Sequence, residues 1–130
     1  MKAKCVEDLH VWQRANEFWD AINAILDKPG LLRDRSLRDQ ISTAADSIVS
    51  NIREGFEQPT DRAFVRYLFV AKASNAEART RLSMAAKRSY ITKEELAERD
   101  AKGDEVARML TGLIKYLLRS NRRDRGIGRN

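Results

Sequence analysis

The sequence predicts an all-α protein folded as an antiparallel up-down-up-down four-helix bundle. Three observations favour this fold class. Apolar residues recur at steps of three and four in four separate segments, which is the spacing of one helix face. No segment shows the strict alternation of apolar and polar residues that is typical of strands. Short breaks separate the segments, and helices of about 20–29 residues joined in this way pack most simply as an up-down bundle.

The first two helices are predicted over about 8–28 and about 36–55. Asp8 stands before the first apolar stripe and is its predicted N-cap. A Lys-Pro-Gly sequence ends that stripe, because proline disfavours helix in the residue before it. Ser36 is the predicted cap of the second helix, and Gly55, followed closely by a proline, marks its end.

The third and fourth helices are predicted over about 60–88 and about 92–119. Thr60 precedes an aspartate and is the predicted N-cap of the third helix. Thr92 and Glu95 have the spacing of a capping box at the start of the fourth. Residues 1–118 are therefore predicted to form one bundle, since 130 residues are enough for a single core.

The first and last helices carry a second apolar stripe beside the first, so that each apolar arc spans about 200°, whereas a surface helix needs little more than about 100°. We expect the extra stripe to be covered by self-association into a homo-oligomer. The predicted interface residues are Val11, Phe18, Ile25, Met109, Ile114 and Leu118.

Composition excludes several classes of protein. Cys5 is the only cysteine, so the chain can form no intrachain disulfide and has no cysteine cluster for a metal. No apolar run approaches the ~18 residues of a membrane span, and acidic residues interrupt the start where an export signal would need an apolar core. We expect a cytoplasmic protein without membrane contact.

The residues that usually carry catalysis are scarce. His10 is the only histidine, so the paired Glu-x-x-His motifs of di-iron bundles are missing, as are nucleotide-binding loops. Glu54 and Glu77 are a carboxylate pair that could approach each other across the second and third helices, but nearby arginines favour ion pairing over acid–base catalysis. We expect no enzymatic activity, no metal and no cofactor.

Basic residues are concentrated in two places, although the whole chain has a net charge of only +6. One is the predicted third helix, on the side opposite its apolar stripe, where the basic residues are Arg62, Arg66, Lys72, Arg79, Lys87 and Arg88. The other is the segment 119–130, which we expect to be flexible and which includes Arg119, Arg122, Arg123 and Arg125. Such surfaces attract phosphate backbones, RNA or DNA, without reading sequence. The alternative is a protein–protein interaction module whose charge serves solubility or an acidic partner.

The stretch SIVSNIREGF, 47–56, places polar residues within an apolar helix. Without a histidine, a cysteine or a second carboxylate nearby, we interpret it as a polar pin that sets the register of two helices. The predicted members are Asn51, bonded to Ser74 or Asn75, and Glu54, paired with a neighbouring arginine.

Four motifs in this order resemble one family of small bacterial proteins, the four-helix-bundle proteins encoded within intervening sequences of 23S rRNA genes. The motifs are DLHVWQRA at 8–15, QISTAADSIVSNIREGF at 40–56, FVRYLFVAKASNAEARTRL at 64–82 and MLTGLIKYL at 109–117. The resemblance covers about 7–118, and the arginine-rich segment that follows lies outside it. Val49 stands where many members have proline, and Ala73 where a glycine is usual.

The resemblance implies an up-down bundle that assembles as a homopentameric barrel. It also implies kinship with the accessory variability protein of diversity-generating retroelements, a basic bundle that contacts a reverse transcriptase and nucleic acid. The family has no agreed enzymatic function to carry over. The function we expect is therefore that of a non-enzymatic, oligomeric scaffold or accessory protein, with a reverse-transcriptase-like protein and nucleic acid as candidate partners.

Overall fold

The computed structural model describes residues 3–127, with side chains as far as Ser120. Within this range the chain is helical and contains no strand. A short 3-10 helix, Val6–Asp8, precedes five α-helices. The α-helices are α1 (His10–Asn23), α2 (Pro29–Arg33), α3 (Arg35–Phe56), α4 (Asp61–Lys87) and α5 (Lys93–Ile127).

The four longer helices form a four-sided bundle around one core. Helix α3 packs against α4, α4 against α5, α5 against α1, and α1 against α3, so α1 and α4 lie across a diagonal. Bonds between α4 and α5 show their antiparallel register: Asn75 Nδ2 donates to the Gly103 carbonyl (2.9 Å), and Arg79 Nε donates to Asp100 Oδ1 (2.8 Å). The predicted all-α fold with four long helices is confirmed.

Two predicted helix caps are present, because capping depends on residues that are close in sequence. Thr60 Oγ1 accepts a hydrogen bond from the Ala63 amide (3.1 Å) at the start of α4. At the start of α5, the Glu95 amide donates to Thr92 Oγ1 (3.0 Å) and the Thr92 amide donates to Glu95 Oε1 (2.8 Å). This is a reciprocal capping box.

The first helix differs from the prediction at both ends. Asp8 is not its N-cap, because its Oδ2 accepts from the Lys4 and Cys5 amides (3.2 and 3.4 Å) and so closes the 3-10 turn instead. Leu9 occupies the cap position of α1 without a side-chain bond. The helix ends at Asn23 and not near 28, and tight turns follow as far as the next helix.

A short helix replaces the break predicted around Lys-Pro-Gly. Pro29 is the first residue of α2, a position where its missing N–H costs nothing and its φ already suits a helix. Asp34 then caps α3 by accepting from the Leu37 amide (3.3 Å), whereas Ser36, the predicted cap, lies within the first turn. The proline therefore starts a helix one turn before α3.

The apolar stripe of the first helix that was predicted to form an oligomer interface is buried in the core of the single chain. This corrects the expectation of an exposed second stripe, since four of the six predicted residues are buried within one chain: Val11, Phe18, Ile25 and Ile114. Met109 is half-buried and Leu118 is exposed.

The stripe that was predicted to face the core is also largely buried: Leu9, Ala15, Ile22 and Leu26 belong to the core, whereas Trp12 and Trp19 are half-buried at its edge. Trp19 Nε1 donates to Asp46 Oδ1 on α3 (2.8 Å). An indole that has to satisfy its N–H fits a partly wet edge better than a dry centre. Both stripes repeat at intervals of seven, so periodicity could not distinguish them.

Helix α5 continues to Ile127, beyond the end predicted at 119. Nothing in the sequence at 119 stops a helix, since no proline occurs there and arginine is a good helix former. The side chains of Arg122, Arg123 and Arg125 lie outside the described residues. No helix within residues 3–127 is both long enough and apolar enough to cross a membrane.

Candidate functional site

The polar stretch of α3 makes a hydrogen-bonded bridge to α4. Ser47 Oγ and Ser74 Oγ are 2.7 Å apart, and Asn51 Nδ2 donates to the Ser47 carbonyl (2.8 Å) and to Ser47 Oγ (3.0 Å). The predicted direct bond from Asn51 to α4 is therefore wrong, because Ser47 is the residue that reaches the other helix. The bridge joins α3 to α4, which agrees with a role in register.

Asn75, the other predicted partner of Asn51, faces α5 and not α3. It is buried, and its amide donates to the Gly103 carbonyl, while its Oδ1 has no hydrogen-bond partner. Gly103 itself is closely packed, since a Cβ there would lie 2.9 Å from the Arg79 side chain. The Asn75 amide therefore joins α4 to α5.

Two further predictions about this stretch are corrected. Glu54 is exposed and forms no ion pair with a described residue, because its neighbour Arg53 turns to Glu7 (3.6 Å). Gly55 does not end the helix, which runs on to Phe56. It is buried against α4, where an added Cβ would lie 2.8 Å from both Phe64 Cδ1 and Tyr67 Cβ.

The structure divides the basic residues predicted on α4 into two groups. Arg79 and Arg88 are held by carboxylates: Arg79 makes two bonds to Asp100 (2.8 and 3.1 Å), and Arg88 Nη1 lies 2.6 Å from Asp34 Oδ2. The bond to Asp100 also raises the pKa of the Arg79 guanidinium. These two arginines join α4 to its neighbours and are not free for phosphates.

The other four predicted basic residues are exposed and make no ion pair with any described residue: Arg62, Arg66, Lys72 and Lys87. They are spread along the helix. Arg62 and Lys87 are separated by about 37 Å of helix axis, at about 1.5 Å per residue. The face is therefore not a uniform strip of charge.

Positive charge is denser near the N-terminal end of α4, because the C-terminal half of α5 lies beside it. Residue 75 lies level with 103, and 79 with 100. Because the two helices are antiparallel, a residue of α4 and a residue of α5 lie at the same level along the bundle axis when their numbers add up to about 178. Lys115 and Arg119, both exposed, lie near the level of Arg62 or just beyond it.

The outer face of α4 also carries apolar residues that the charge pattern concealed. Phe69 is 51% exposed and Val70 is 49% exposed. Ala73 and Ala76, which follow at helical spacing along α4, are exposed as well. We call these four residues the Phe69 patch. The signal was present in the sequence, since Phe69 lies opposite Phe64 on the helix wheel, among basic residues.

A second apolar surface is a groove of ≈ 310 Å³ between α1 and α5, which we call the α1–α5 groove. Tyr116 is 38% exposed at its edge. The residues that line the groove are Asp8, Leu9, His10, Val11, Met109, Leu113 and Tyr116.

The arrangement offers little for bond-making chemistry. Among the residues that the structure describes, no three histidine, cysteine or acidic side chains are grouped so that they could hold a metal ion. Partial desolvation beside Asp8 raises the pKa of the Cys5 thiol, which disfavours the reactive thiolate. Glu77 lies 3.8 Å from Arg81, as expected of an ion-paired carboxylate.

Comparisons with known proteins agree with this fold. The family model described as 23S rRNA-intervening sequence protein matches residues 7–112. A crystal structure of a protein with unknown function from the S23 ribosomal protein family of Bacteroides thetaiotaomicron is similar, with a TM-score of 0.73 and 24% sequence identity. The alignment covers 81% of this chain and 98% of that one, and at this identity it supports the fold alone. No curated protein matches the chain.

The family model spans most of the bundle, including the polar stretch of α3 and the whole of α4. The chain belongs to the 23S rRNA-intervening sequence protein family.

Proposed function

We propose that the protein is a non-enzymatic, oligomeric accessory or scaffold protein that associates with nucleic acid. The observation that supports this is the exposure of Arg62 and Arg119 at one end of the bundle, with Arg66 and Lys115 near them. None of these four side chains forms an ion pair with another described residue, so each can contact a phosphate without breaking a bond. The arginine-rich segment 119–130 begins at the same end.

The expected binding is electrostatic and does not depend on sequence. No exposed row of aromatic side chains accompanies the basic residues within the described range, so base stacking of the kind used by single-strand binders has no platform. Glu54 and Glu57 are exposed near the same end and reduce its net charge. We therefore expect modest affinity that falls steeply as salt is added.

The test is fluorescence anisotropy or filter binding of labelled RNA and DNA over a salt series, with the full chain. The double variant Arg62→Gln/Arg119→Gln should lower the slope of log affinity against log salt by about two, because each lost phosphate contact removes about one unit. The matched control is Arg33→Gln/Arg35→Gln, which removes the same charge at the opposite end. No salt-dependent binding by the unaltered protein would refute the proposal.

A protein–protein interaction module is the second candidate, and the Phe69 patch favours it. Exposed aromatic and β-branched side chains on one helix face are typical of surfaces that bind protein. A reverse-transcriptase-like protein and further copies of this chain are the candidate partners. Five copies is the number that the family resemblance implies.

A further inference from the structure

Helix α5 extends past the end of the bundle to which it belongs. By its register with α4, the first residue of α4, Asp61, is level with position 117. The bonds that join the other helices place the start of α1 level with about position 110, and the end of α3 level with about position 113. Leu117 is fully buried, whereas Leu118 is already 39% exposed.

The remaining ten residues of the helix, 118–127, therefore have no other helix beside them within the part of the chain that the structure describes. We call these residues the α5 spur. At about 1.5 Å per residue, the α5 spur is about 15 Å long.

The helical form of the α5 spur is explained by local physics. An isolated helix of this length is marginal in water because its first turn is costly to form, but the α5 spur continues a helix that already exists. Arginine is a good helix former, and cations are favourable near the C-terminal, negative end of the helix dipole. Four arginines against one aspartate give the α5 spur a net charge of +3.

The basic positions of the α5 spur are concentrated on one side. At about 100° per residue, positions 119, 122 and 123 fall within an arc of about 100°, and all three are arginines. Position 125, the fourth arginine, lies next to this arc. Position 124, the aspartate, lies on the opposite side. The α5 spur is thus a narrow helix with one cationic face.

We propose that the α5 spur lies in the major groove of duplex DNA, where Arg119, Arg122 and Arg123 contact phosphates along the groove. This inference rests on the nucleic-acid part of the proposed function. It adds the form of nucleic acid that is bound and the element that binds it.

The size of the α5 spur favours the groove of B-form DNA. An α-helix with its side chains is about 10–12 Å across, and the major groove of B-form DNA is about 12 Å wide and about 8.5 Å deep. The major groove of duplex RNA is too narrow and too deep for such a helix. A single strand is disfavoured, because the α5 spur contains no aromatic residue on which bases could stack.

The charge of the α5 spur also suits a duplex. Duplex DNA carries one negative charge per about 1.7 Å of its axis, so that about 15 Å of helix passes roughly nine phosphates. Arg62 and Lys115, which are exposed near the base of the α5 spur, can contact the backbone beside the groove. Glu54 and Glu57 are exposed at the same end of the bundle and oppose that outer contact, but they precede the α5 spur along the axis. The groove contact is therefore the stronger part of the interaction.

The first experiment separates the helix from its charge. Asn121→Pro and Asn121→Ala have the same net charge, but proline disrupts the helix from the preceding residue onward, whereas alanine favours it. By fluorescence anisotropy with a labelled DNA duplex of about 20 base pairs, Asn121→Pro should bind about tenfold more weakly than Asn121→Ala, since an unfolded segment has to be ordered to make the same contacts. Both variants should keep the thermal midpoint of the bundle, because no helix packs against the α5 spur. Equal affinities would overturn the inference.

A second pair of variants does not alter the helix. Arg122→Gln/Arg123→Gln should lower the slope of log affinity against log salt by about two, because each lost phosphate contact removes about one unit. Arg33→Gln/Arg35→Gln removes the same charge at the other end of the bundle and should leave the slope unchanged. An unchanged slope for the variant at positions 122 and 123 would overturn the inference.

The second experiment tests the groove itself, with the unaltered protein and three duplexes of one sequence. These are plain DNA, RNA, and DNA whose cytosines carry a glucosylated 5-hydroxymethyl group, which fills the major groove. Plain DNA should bind about tenfold more tightly than either of the others, because only its major groove admits a helix. Equal affinity for the three duplexes, or a preference for RNA or for a single strand, would overturn the inference.

The two proposals fail in different ways. The absence of salt-dependent binding to any nucleic acid refutes the proposed function and this inference together. Salt-dependent binding that is the same for Asn121→Pro and Asn121→Ala refutes the role of the α5 spur and leaves the proposed function in place.

Discussion

The contact between α3 and α4 and the contact between α1 and α5 show two ways of joining helices in one bundle. Helices α3 and α4 meet along most of their lengths, with Gly55 packed against Phe64 and Tyr67 and with Ser47 bonded to Ser74. Helix α1 has only 14 residues, a short 3-10 helix precedes it and tight turns follow it. Where it meets α5, half-buried side chains such as Leu113 line an open groove. The first contact is closely packed, and the second leaves an open groove.

The largest expected effect on stability comes from truncating a fully buried side chain of α4. Leu68 on α4 is fully buried, so Leu68→Ala should lower the free energy of unfolding by about 2–5 kcal/mol, through lost burial and a residual cavity. Leu113→Ala makes the same chemical change at the α1–α5 groove and should cost about half as much or less, because the side chain is already partly exposed. Urea unfolding of both variants at one protein concentration measures the difference. Equal losses would mean that the two contacts are packed alike.

A smaller effect is expected from adding one methyl group to α3, in the α3–α4 contact, and one to α5. Gly55→Ala should destabilise the fold by about 1–3 kcal/mol, because its Cβ meets the Phe64 ring and the Tyr67 Cβ. Gly112→Ala, on α5, has nothing within 4 Å of the new Cβ and should stabilise by about 0.5–1 kcal/mol through helix propensity. Thermal unfolding followed by circular dichroism distinguishes the two. A stable Gly55→Ala variant would contradict the close approach of α3 to α4.

The smallest expected effect is on the pH dependence of stability, and it compares Asp34, at the start of α3, with Asp8, beside the α1–α5 groove. The pKa of Asp34 lies below its ordinary range because Tyr90 donates to it, then the Leu37 amide, and Arg88 adds a further bond. Since this folded pKa is below the unfolded value of about 3.9, the stabilisation is present above that value and is lost as the pH falls through the folded pKa. Asp34→Asn should remove that part of the pH dependence.

Asp8 provides the matched test at the α1–α5 groove. Its pKa is also lowered, chiefly by the Lys4 amide and then by Cys5, but these partners lie within one turn of chain. Asp8→Asn should therefore change the acid side of the global stability curve less than Asp34→Asn, whose partners join α3 to the end of α4. Urea midpoints from about pH 7 down to about pH 3 measure both profiles. A larger effect at Asp8 would reverse the comparison.

Predictions that depend on near neighbours in sequence agree well with the structure. The bounds of α3 and α4 lie within about one residue of those predicted, because Thr60 and the proline before it punctuate the chain locally. The capping box of Thr92 and Glu95 has the same origin. The N-cap predicted at Asp8 failed because a second local structure, the 3-10 turn, competes for the same carboxylate.

Predictions that depend on distant neighbours agree less well. The basic face of α4 was visible in the sequence, but the loss of Arg79 and Arg88 to Asp100 and Asp34 was not, since those carboxylates are on other helices. Ser47 was part of the quoted motif, yet its bond to Ser74 depends on how α3 and α4 cross. The Phe69 patch was overlooked because charged neighbours dominate that side of the helix wheel.

By itself the sequence determined the fold class, the number of long helices, most of their ends and the family, because caps, breaks and apolar periodicity act over a few residues. Only the tertiary structure decided how deeply each residue of the two stripes of α1 enters the core, which cations remain free, and where a groove is left open. Those outcomes depend on how four helices share one volume. The apolar periodicity of a single helix is the same whichever of its sides the neighbouring helices pack against.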